Sequence, residues 1–332
     1  FEEINRLAKA KTDITGLPTG FPELDRLTTG LQPSDLVVVA GRPSMGKTAF
    51  AMNIATNAVR LSGKGVLIFS LEMSIDQLMR RILSSEAGVP ASRMRVPRLL
   101  TDKDLFDLIE AADRFHKSPV YLDDSAELNV LEIRSRSRRL RAQLNKEKKD
   151  LGLVIVDYLQ IMRAVKSVRA GRGEVTRERE IAELTRSLKA LAKELAVPVM
   201  CLSQLNRGPE TRTDKRPMLA DLRESGAIEQ DADVIMFLYR ESAYSHQAED
   251  STAEAIVGKN RNGPVGTVPL HFHKEFTRFD PVDQGGGNYD YGQQEGTRME
   301  VPREAPNGPA TAPVQPGPVD YDSGAPEEED LF

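Results

Sequence analysis

The chain has 332 residues, of which 39% are hydrophobic and 29% are charged, and these proportions indicate a globular protein rather than a fibrous one. No apolar run approaches the roughly 18 residues of a membrane-spanning helix, and the first residues lack the apolar core of a signal peptide. The single cysteine, Cys201, excludes an internal disulfide and a multi-cysteine zinc site. We therefore expect a cytoplasmic protein without a membrane segment, and the missing initiator methionine suggests a fragment or a processed chain.

Residues 281–332 differ in composition from the rest of the chain. They contain eleven acidic and two basic residues, a net charge of −9, whereas the whole chain carries −5, so residues 1–280 carry +4. They also hold eight of the 20 prolines and eight of the 24 glycines. Few apolar residues are present to offset the entropy of ordering. We expect a disordered acidic tail here and a mildly basic folded body before it.

Short apolar runs alternate with helical patterns between residues 30 and 280. The runs predict strands at Leu36–Ala40, Val66–Phe69, Val120–Leu122, Leu153–Val156, Val197–Leu202 and Val234–Tyr239. Apolar residues spaced by three and four predict buried helix faces at Val130–Leu144 and Ile181–Leu195. Strands that alternate with helices predict an α/β fold with a mostly parallel central sheet flanked by helices.

A different pattern follows Tyr239. Three runs predict a C-terminal antiparallel β segment, at Ala253–Val257, Thr267–Phe272 and Phe276–Phe279. The turns between them are predicted at Asn262–Pro264 and Lys274–Glu275.

The strongest motif is Gly41-Arg42-Pro43-Ser44-Met45-Gly46-Lys47-Thr48, which fits G-x-x-x-x-G-K-[ST]. An apolar strand precedes it and a helical pattern follows, so its backbone N–H groups and the helix N-terminus favour phosphate oxygens. Lys47 would reach the β and γ phosphates, and the Thr48 hydroxyl would ligate Mg²⁺. The predicted nucleotide-binding residues are Gly41, Ser44, Met45, Gly46, Lys47, Thr48 and Ala49.

Three further polar residues follow predicted strands, whose carboxyl ends meet at the phosphate-binding edge of a parallel sheet. Asp157 would be the second metal-organising acid. Glu72 would be the base that orients the attacking water, although a solvated strand-end glutamate is the alternative. Gln204 would sense the γ-phosphate, although it could equally be an ordinary loop amide.

Several segments together resemble the C-terminal, RecA-like motor domain of the DnaB-type replicative helicase. They are GRPSMGKTAFAMNIA, FSLEM, DYLQ, LTRSLKALAKEL, LSQLNR, DLRESGAIEQDAD and GKNRNGPVGT, in order across roughly residues 12–280. The resemblance implies that residues 1–12 end an inter-domain linker, that residues 13–280 form a RecA-like P-loop NTPase motor domain, and that the helical N-terminal domain of the family is absent.

The resemblance further implies a homo-hexameric ring that uses ATP and Mg²⁺ to move 5′ to 3′ along single-stranded DNA during replication. It assigns catalytic roles to Lys47, Glu72 and Gln204. Lys259 and Arg261 would come from the adjacent subunit, with Arg261 as an arginine finger; a solvated basic hairpin tip is the alternative. A primase and a helicase loader are the implied partners, and the setting is a bacterial, nucleoid-associated one.

The DNA-facing residues implied by the resemblance are Arg223, Glu224 and Gly226. They follow the basic segment Ser203–Asp221, and family loops of this kind line the central channel of the ring. Backbone and phosphate contacts carry no sequence information, so DNA binding would be indifferent to sequence. Residues 163–179 form a second basic segment, in which no contact is assigned.

Other features favour ordinary structural explanations. The basic residues of 134–149 share a helix with an apolar stripe and predict a solvated face. His271 and His273 lack the partners of a metal site, and Cys201 lies in a predicted buried strand. The acidic end of the tail, with Leu331 and Phe332, suggests a clamp or other replisome partner, against a plain solvated terminus.

Two alternative functions remain open from the sequence. One is a RecA-like recombination or repair ATPase. The other is a nucleotide-gated scaffold that assembles without turnover; the presence of Glu72, Gln204 and Arg261 argues against it, because a scaffold needs no hydrolytic residues.

Overall fold

The computed structural model of the protein describes residues 14–125, 128–157, 177–244 and 251–282, with the side chains of residues 177 and 223–225 left out. These residues lie in one compact unit. The predicted tail and most of the basic segment 163–179 fall outside them.

The described residues form a nine-stranded mixed sheet in the order β3-β2-β4-β5-β1-β6-β7-β8-β9. The parallel strands are β1 (Leu36–Gly41), β2 (Gly65–Ser70), β3 (Val120–Asp123), β4 (Leu151–Asp157), β5 (Val199–Gln204) and β6 (Val234–Tyr239). The antiparallel strands are β7 (Thr252–Asn260), β8 (Gly266–His273) and β9 (Arg278–Pro281). The predicted α/β class and the C-terminal antiparallel segment are confirmed.

Eight α-helices are present in the described parts of the chain. They are α1 (Pro22–Thr28), α2 (Lys47–Ser62), α3 (Ile75–Ala87), α4 (Ala91–Arg95), α5 (Asp102–His116), α6 (Val130–Lys146), α7 (Arg177–Leu195) and α8 (Gly226–Asp231). Capping boxes begin three of them, where Ser74, Thr101 and Asn129 accept from backbone amides of the first turn.

Two apolar cores cover the two faces of the sheet. Helix α2 packs into one of them, and α6 and α7 pack into the other. The predicted stripe of α7, Ile181 to Leu195, is buried, and so is most of the α6 stripe, of which Leu140 is half-buried. Strand β3 is half-buried along its length because it is the edge strand of the sheet.

Two predicted strand boundaries are wrong. Val197 does not start β5, because its N–H donates to Ala192 O and so belongs to the turn that ends α7. Phe276 does not start β9, because His273 pairs with Arg278 and the four residues between them form the turn. In both places the strand begins only where a partner strand offers hydrogen bonds.

Candidate nucleotide site

The phosphate-binding loop runs from the end of β1 at Gly41 to the start of α2 at Lys47. Gly46 has φ +95°, and a Cβ there would stand 2.9 Å from Cε2 of Phe279. Both facts require glycine at this position. The Lys47 ammonium folds back over the loop and donates to Gly41 O at 3.0 Å and Arg42 O at 3.3 Å. The loop is therefore shaped around its lysine.

Thr48 and Asp157 lie in contact although 109 positions separate them. Thr48 Oγ1 donates to Asp157 Oδ2 at 2.7 Å, and Asp157 is the last residue of β4. Burial raises the pKa of the Asp157 carboxyl, whereas burial lowers the pKa of the Lys47 ammonium beside it. A hydroxyl and a carboxylate in contact are the oxygen ligands that Mg²⁺ prefers.

The predicted catalytic residues of one subunit share a cleft of about 840 Å³. Glu72 lies two residues past the end of β2 and is exposed, and Gln204 is the last residue of β5. Both line the cleft together with Lys47, Thr48 and Asp157. The volume suits a nucleotide-sized ligand, since ligand clefts span about 300–1,000 Å³.

Helix α3 contributes an arginine that the sequence analysis missed. Arg81 lines the cleft and is half-buried. Burial lowers its pKa, and the nearby carboxylates of Asp157 and Glu72 act in the opposite direction. The only sequence signal was its place in the helix that follows Glu72, which does not separate it from the neighbouring Arg80, also a cleft residue.

The C-terminal β segment supports the loop from behind. The ring centroids of Phe272 and Phe279 lie 4.6 Å apart. The Arg240 guanidinium lies 3.9 Å from the Phe272 centroid and donates to Ser44 O at 3.1 Å. Burial lowers the pKa of Arg240. A residue just past β6 thus holds the phosphate-binding loop by its main chain.

Lys259 and Arg261 reach one place, as their spacing predicts. Lys259 Nζ donates to Ala232 O at 2.7 Å, and Arg261 Nη2 donates to Gln230 O at 3.3 Å, both at the end of α8. This place is not the cleft. Asn260, between them, pairs with the first residue of β6, and the phosphate-binding loop lies at the other end of that strand, about 20 Å away.

The predicted DNA contacts are only partly described. Arg223 and Glu224 belong to the 3₁₀ helix Leu219–Ser225, and their side chains are outside the described atoms. Gly226 begins α8 and is exposed, with no heavy atom within 4 Å of a Cβ placed there. Open space at Gly226 leaves its backbone accessible to a ligand.

Basic residues elsewhere are held by acids. Arg134 and Arg138 of α6 both pair with Glu194, and Arg136 pairs with Asp123 at 2.5 Å. These pairs favour the predicted solvated helix face, because charge already neutralised attracts phosphate weakly.

The discounted metal and thiol sites fit the described structure. No group of three or more potential metal-binding side chains occurs in the described residues. Burial raises the pKa of the Cys201 thiol to about 12. Among the described helices, none combines the length and apolar character that a bilayer crossing demands.

Known proteins share this sequence and fold. Residues 16–281 match the family described as DnaB-like helicase C terminal domain. The replicative DNA helicase DnaC of Bacillus subtilis (strain 168) is 47% identical over 280 residues, which are 84% of this chain and 59% of that protein. The replicative DNA helicase DnaB of Pasteurella multocida (strain Pm70) is 51% identical over 283 residues, 84% of this chain and 58% of that protein.

Two solved structures are similar in fold. One is an isolated ATPase domain, with a TM-score of 0.77 and 37% identity over 85% of this chain and 96% of that one. The other is a DnaB-like replicative helicase, solved for its interactions with primase, with a TM-score of 0.76 and 37% identity over 85% of this chain and 65% of that one. The chain spans about three fifths of the length of the curated relatives it matches. Its motif, its sheet order and these similarities together place the chain in the DnaB-like helicase C-terminal domain family.

Proposed function

We propose that this chain is the ATP-driven motor of a replicative DNA helicase. The observation that carries the proposal is the contact between Thr48 and Asp157 at the mouth of a cleft that also holds Lys47, Glu72 and Gln204. A metal-organising pair, a phosphate lysine and a strand-end acid together form the set that nucleotide hydrolysis uses. Membership of the family supports nucleotide use by the chain.

Each residue of the set has a distinct role in this proposal. The Lys47 ammonium and the loop amides hold the phosphates of ATP, which exchange for the carbonyls that Lys47 now contacts. Thr48 and Asp157 hold Mg²⁺, which supplies charge neutralisation at the phosphates. Glu72 orients the attacking water and takes its proton. The Gln204 amide contacts the γ-phosphate.

Completion of the site requires a second copy of the chain. Lys259 and Arg261 lie at the opposite sheet edge from Lys47, so they serve a neighbour's phosphates. A closed ring, a homo-hexamer, repeats this arrangement at every interface. Single-stranded DNA passes through the centre, contacts Arg223, Glu224 and Gly226, and is moved 5′ to 3′ as hydrolysis proceeds around the ring.

Domain limits and partners are part of the proposal. The match over residues 16–281 supports a motor domain at 13–280, with linker residues 1–12 before it and the tail 281–332 after it. One structurally similar helicase was solved for its interactions with primase, which supports primase as a partner here. A helicase loader and a bacterial cytoplasmic, nucleoid-associated setting complete the proposal.

The test is ATP hydrolysis with and without single-stranded DNA, in the native chain and in Lys47→Ala, with oligomer mass recorded in the same buffer. The expected result is DNA-stimulated hydrolysis in a ring-sized species, abolished by Lys47→Ala. Ring-sized protein that binds ATP without turnover would instead support a scaffold. DNA-stimulated hydrolysis by filaments that exchange DNA strands would support a recombination ATPase.

A further inference from the structure

Arg42, the second residue of the phosphate-binding loop, makes two contacts that leave the loop. Its Nε donates to Glu210 Oε1 at 2.7 Å, and its Nη1 donates to Leu205 O at 2.8 Å. The Arg42 side chain is 12% exposed, whereas that of Glu210 is 41% exposed. The main-chain carbonyl of Arg42 meanwhile accepts from Lys47 Nζ. One residue therefore joins the phosphate lysine to the segment after β5.

That segment is tied together around the carboxylate of Asp221, which is buried. Arg212 Nη2 donates to Asp221 Oδ2 at 2.7 Å, and the Met218 amide donates to the same oxygen at 2.8 Å. The Asn206 amide donates to Asp221 O at 3.2 Å. Residues 205–221 are thus cross-linked internally, with Arg42 at one end and the proposed DNA contacts directly after the other.

Phosphate binding offers this connection two states. Lys47 now donates to the neutral carbonyls of Gly41 and Arg42. A phosphate oxygen is a charged and stronger acceptor, so its arrival draws the ammonium away from these carbonyls. The Arg42 main chain is then released from Lys47 while its side chain still holds Glu210.

We propose that the Arg42–Glu210 contact couples the nucleotide site to the DNA-contacting segment, with Glu210 as a positioning residue. The inference rests on the proposed motor function. Coupling between two sites is reciprocal, so DNA bound beyond Asp221 changes nucleotide affinity by the same factor that nucleotide changes DNA affinity. Loss of the contact lowers both factors together.

The test compares full chains carrying Glu210→Gln or Glu210→Ala with the native chain. The readouts are the ratio of DNA-stimulated to DNA-free ATP hydrolysis and the ratio of DNA affinities with an ATP analogue and with ADP. Both ratios fall by roughly fivefold or more, the lower end of typical coupling factors. Glu23→Gln is the matched control, because it breaks the 2.6 Å ion pair with Arg26 on α1, away from both sites. It leaves both ratios at the native value.

A double-mutant cycle with Arg42→Gln separates coupling from general damage. If Glu210 acts through Arg42, the double variant loses no more coupling than the larger single loss. Native ratios in both Glu210 variants, or losses that multiply in the double variant, overturn the proposal. Circular dichroism and oligomer mass verify folding, which the exposure of Glu210 favours. A native chain without DNA stimulation contradicts the motor function itself, whereas native stimulation with unchanged variants contradicts only this contact.

Discussion

Arg261 Nη1 donates to Asp233 Oδ1 at 3.1 Å, at the amino edge of the parallel strands. Asp233 is itself fixed, because its side chain is 3% exposed, accepts from the Leu36 amide at 2.9 Å and pairs with Lys189. Arg261 keeps 51% of its side chain exposed. An anchored and half-exposed guanidinium, remote from the phosphate-binding loop of its own chain, is suited to a neighbour's nucleotide.

Arg261→Ala should therefore leave ATP binding within about twofold of native and lower turnover by roughly 1,000-fold or more, as for other arginine fingers. The damage should fall on the neighbouring site. Rings mixed from Arg261→Ala and Lys47→Ala subunits contain some interfaces with both native residues, so turnover should partly recover. Subunit exchange must first be verified by mass. No recovery in verified mixed rings would contradict a finger supplied by the neighbour.

Asp157→Asn should abolish the Mg²⁺ dependence of nucleotide binding and lower hydrolysis by on the order of 100-fold, or about 3 kcal/mol. The amide keeps an acceptor for Thr48 Oγ1 but removes the anionic ligand. The measurement is a Mg²⁺ titration of ATP hydrolysis. Full Mg²⁺-dependent activity in this variant would refute the metal role of Asp157.

The same carboxyl predicts a pH effect. Burial raises the pKa of Asp157, so the native state keeps a proton that the unfolded state releases. The free energy of unfolding without metal should therefore fall as pH rises from the ordinary carboxyl pKa through the raised one. Mg²⁺ affinity should change in the opposite direction, because only the carboxylate binds. Denaturant unfolding across this range, in native protein and Asp157→Asn, should show a flatter profile for the variant.

Arg223→Ala should weaken single-stranded DNA binding and lower the slope of log K against log salt by about 0.7, the value for one lost phosphate contact on a single strand. Arg138→Ala is the matched control, because it removes the same charge from a side chain already paired with Glu194. Its affinity and salt slope should stay at the native value. Equal losses in the two variants would place the DNA path across α6 instead.

Gly46→Ala should destabilise the folded state by about 1–2 kcal/mol through its positive φ alone, and by more through the contact with Phe279. Gly63→Ala is the control, because Gly63 has φ +68° with no heavy atom within 4 Å of a placed Cβ. Thermal unfolding should show the larger loss for Gly46→Ala, with nucleotide binding lost as well. Equal melting temperatures would show that the Phe279 ring yields at no cost.

Local features were readable from the sequence because their cause lies within a few residues. The phosphate-binding loop is contiguous, so glycine spacing, Lys47 and Thr48 identify it directly. Apolar runs and three-four spacing predicted the strands and helix faces, since burial follows the backbone period. The alternation of the two predicted a parallel sheet, and the carboxyl ends of its strands then placed Asp157, Glu72 and Gln204 together.

Relationships between distant residues needed the tertiary structure. The Arg240 contact to Ser44, the place of Arg81 in the cleft and the Arg42–Glu210 contact join elements with no shared pattern. Packing decides such contacts, and packing depends on the strand order of the whole sheet. The sequence by itself determined the loop, the fold class and the family resemblance. Only the tertiary structure decided that Lys47 and Arg261 occupy opposite edges of one sheet, because an antiparallel return strand carries the chain back to the amino edge.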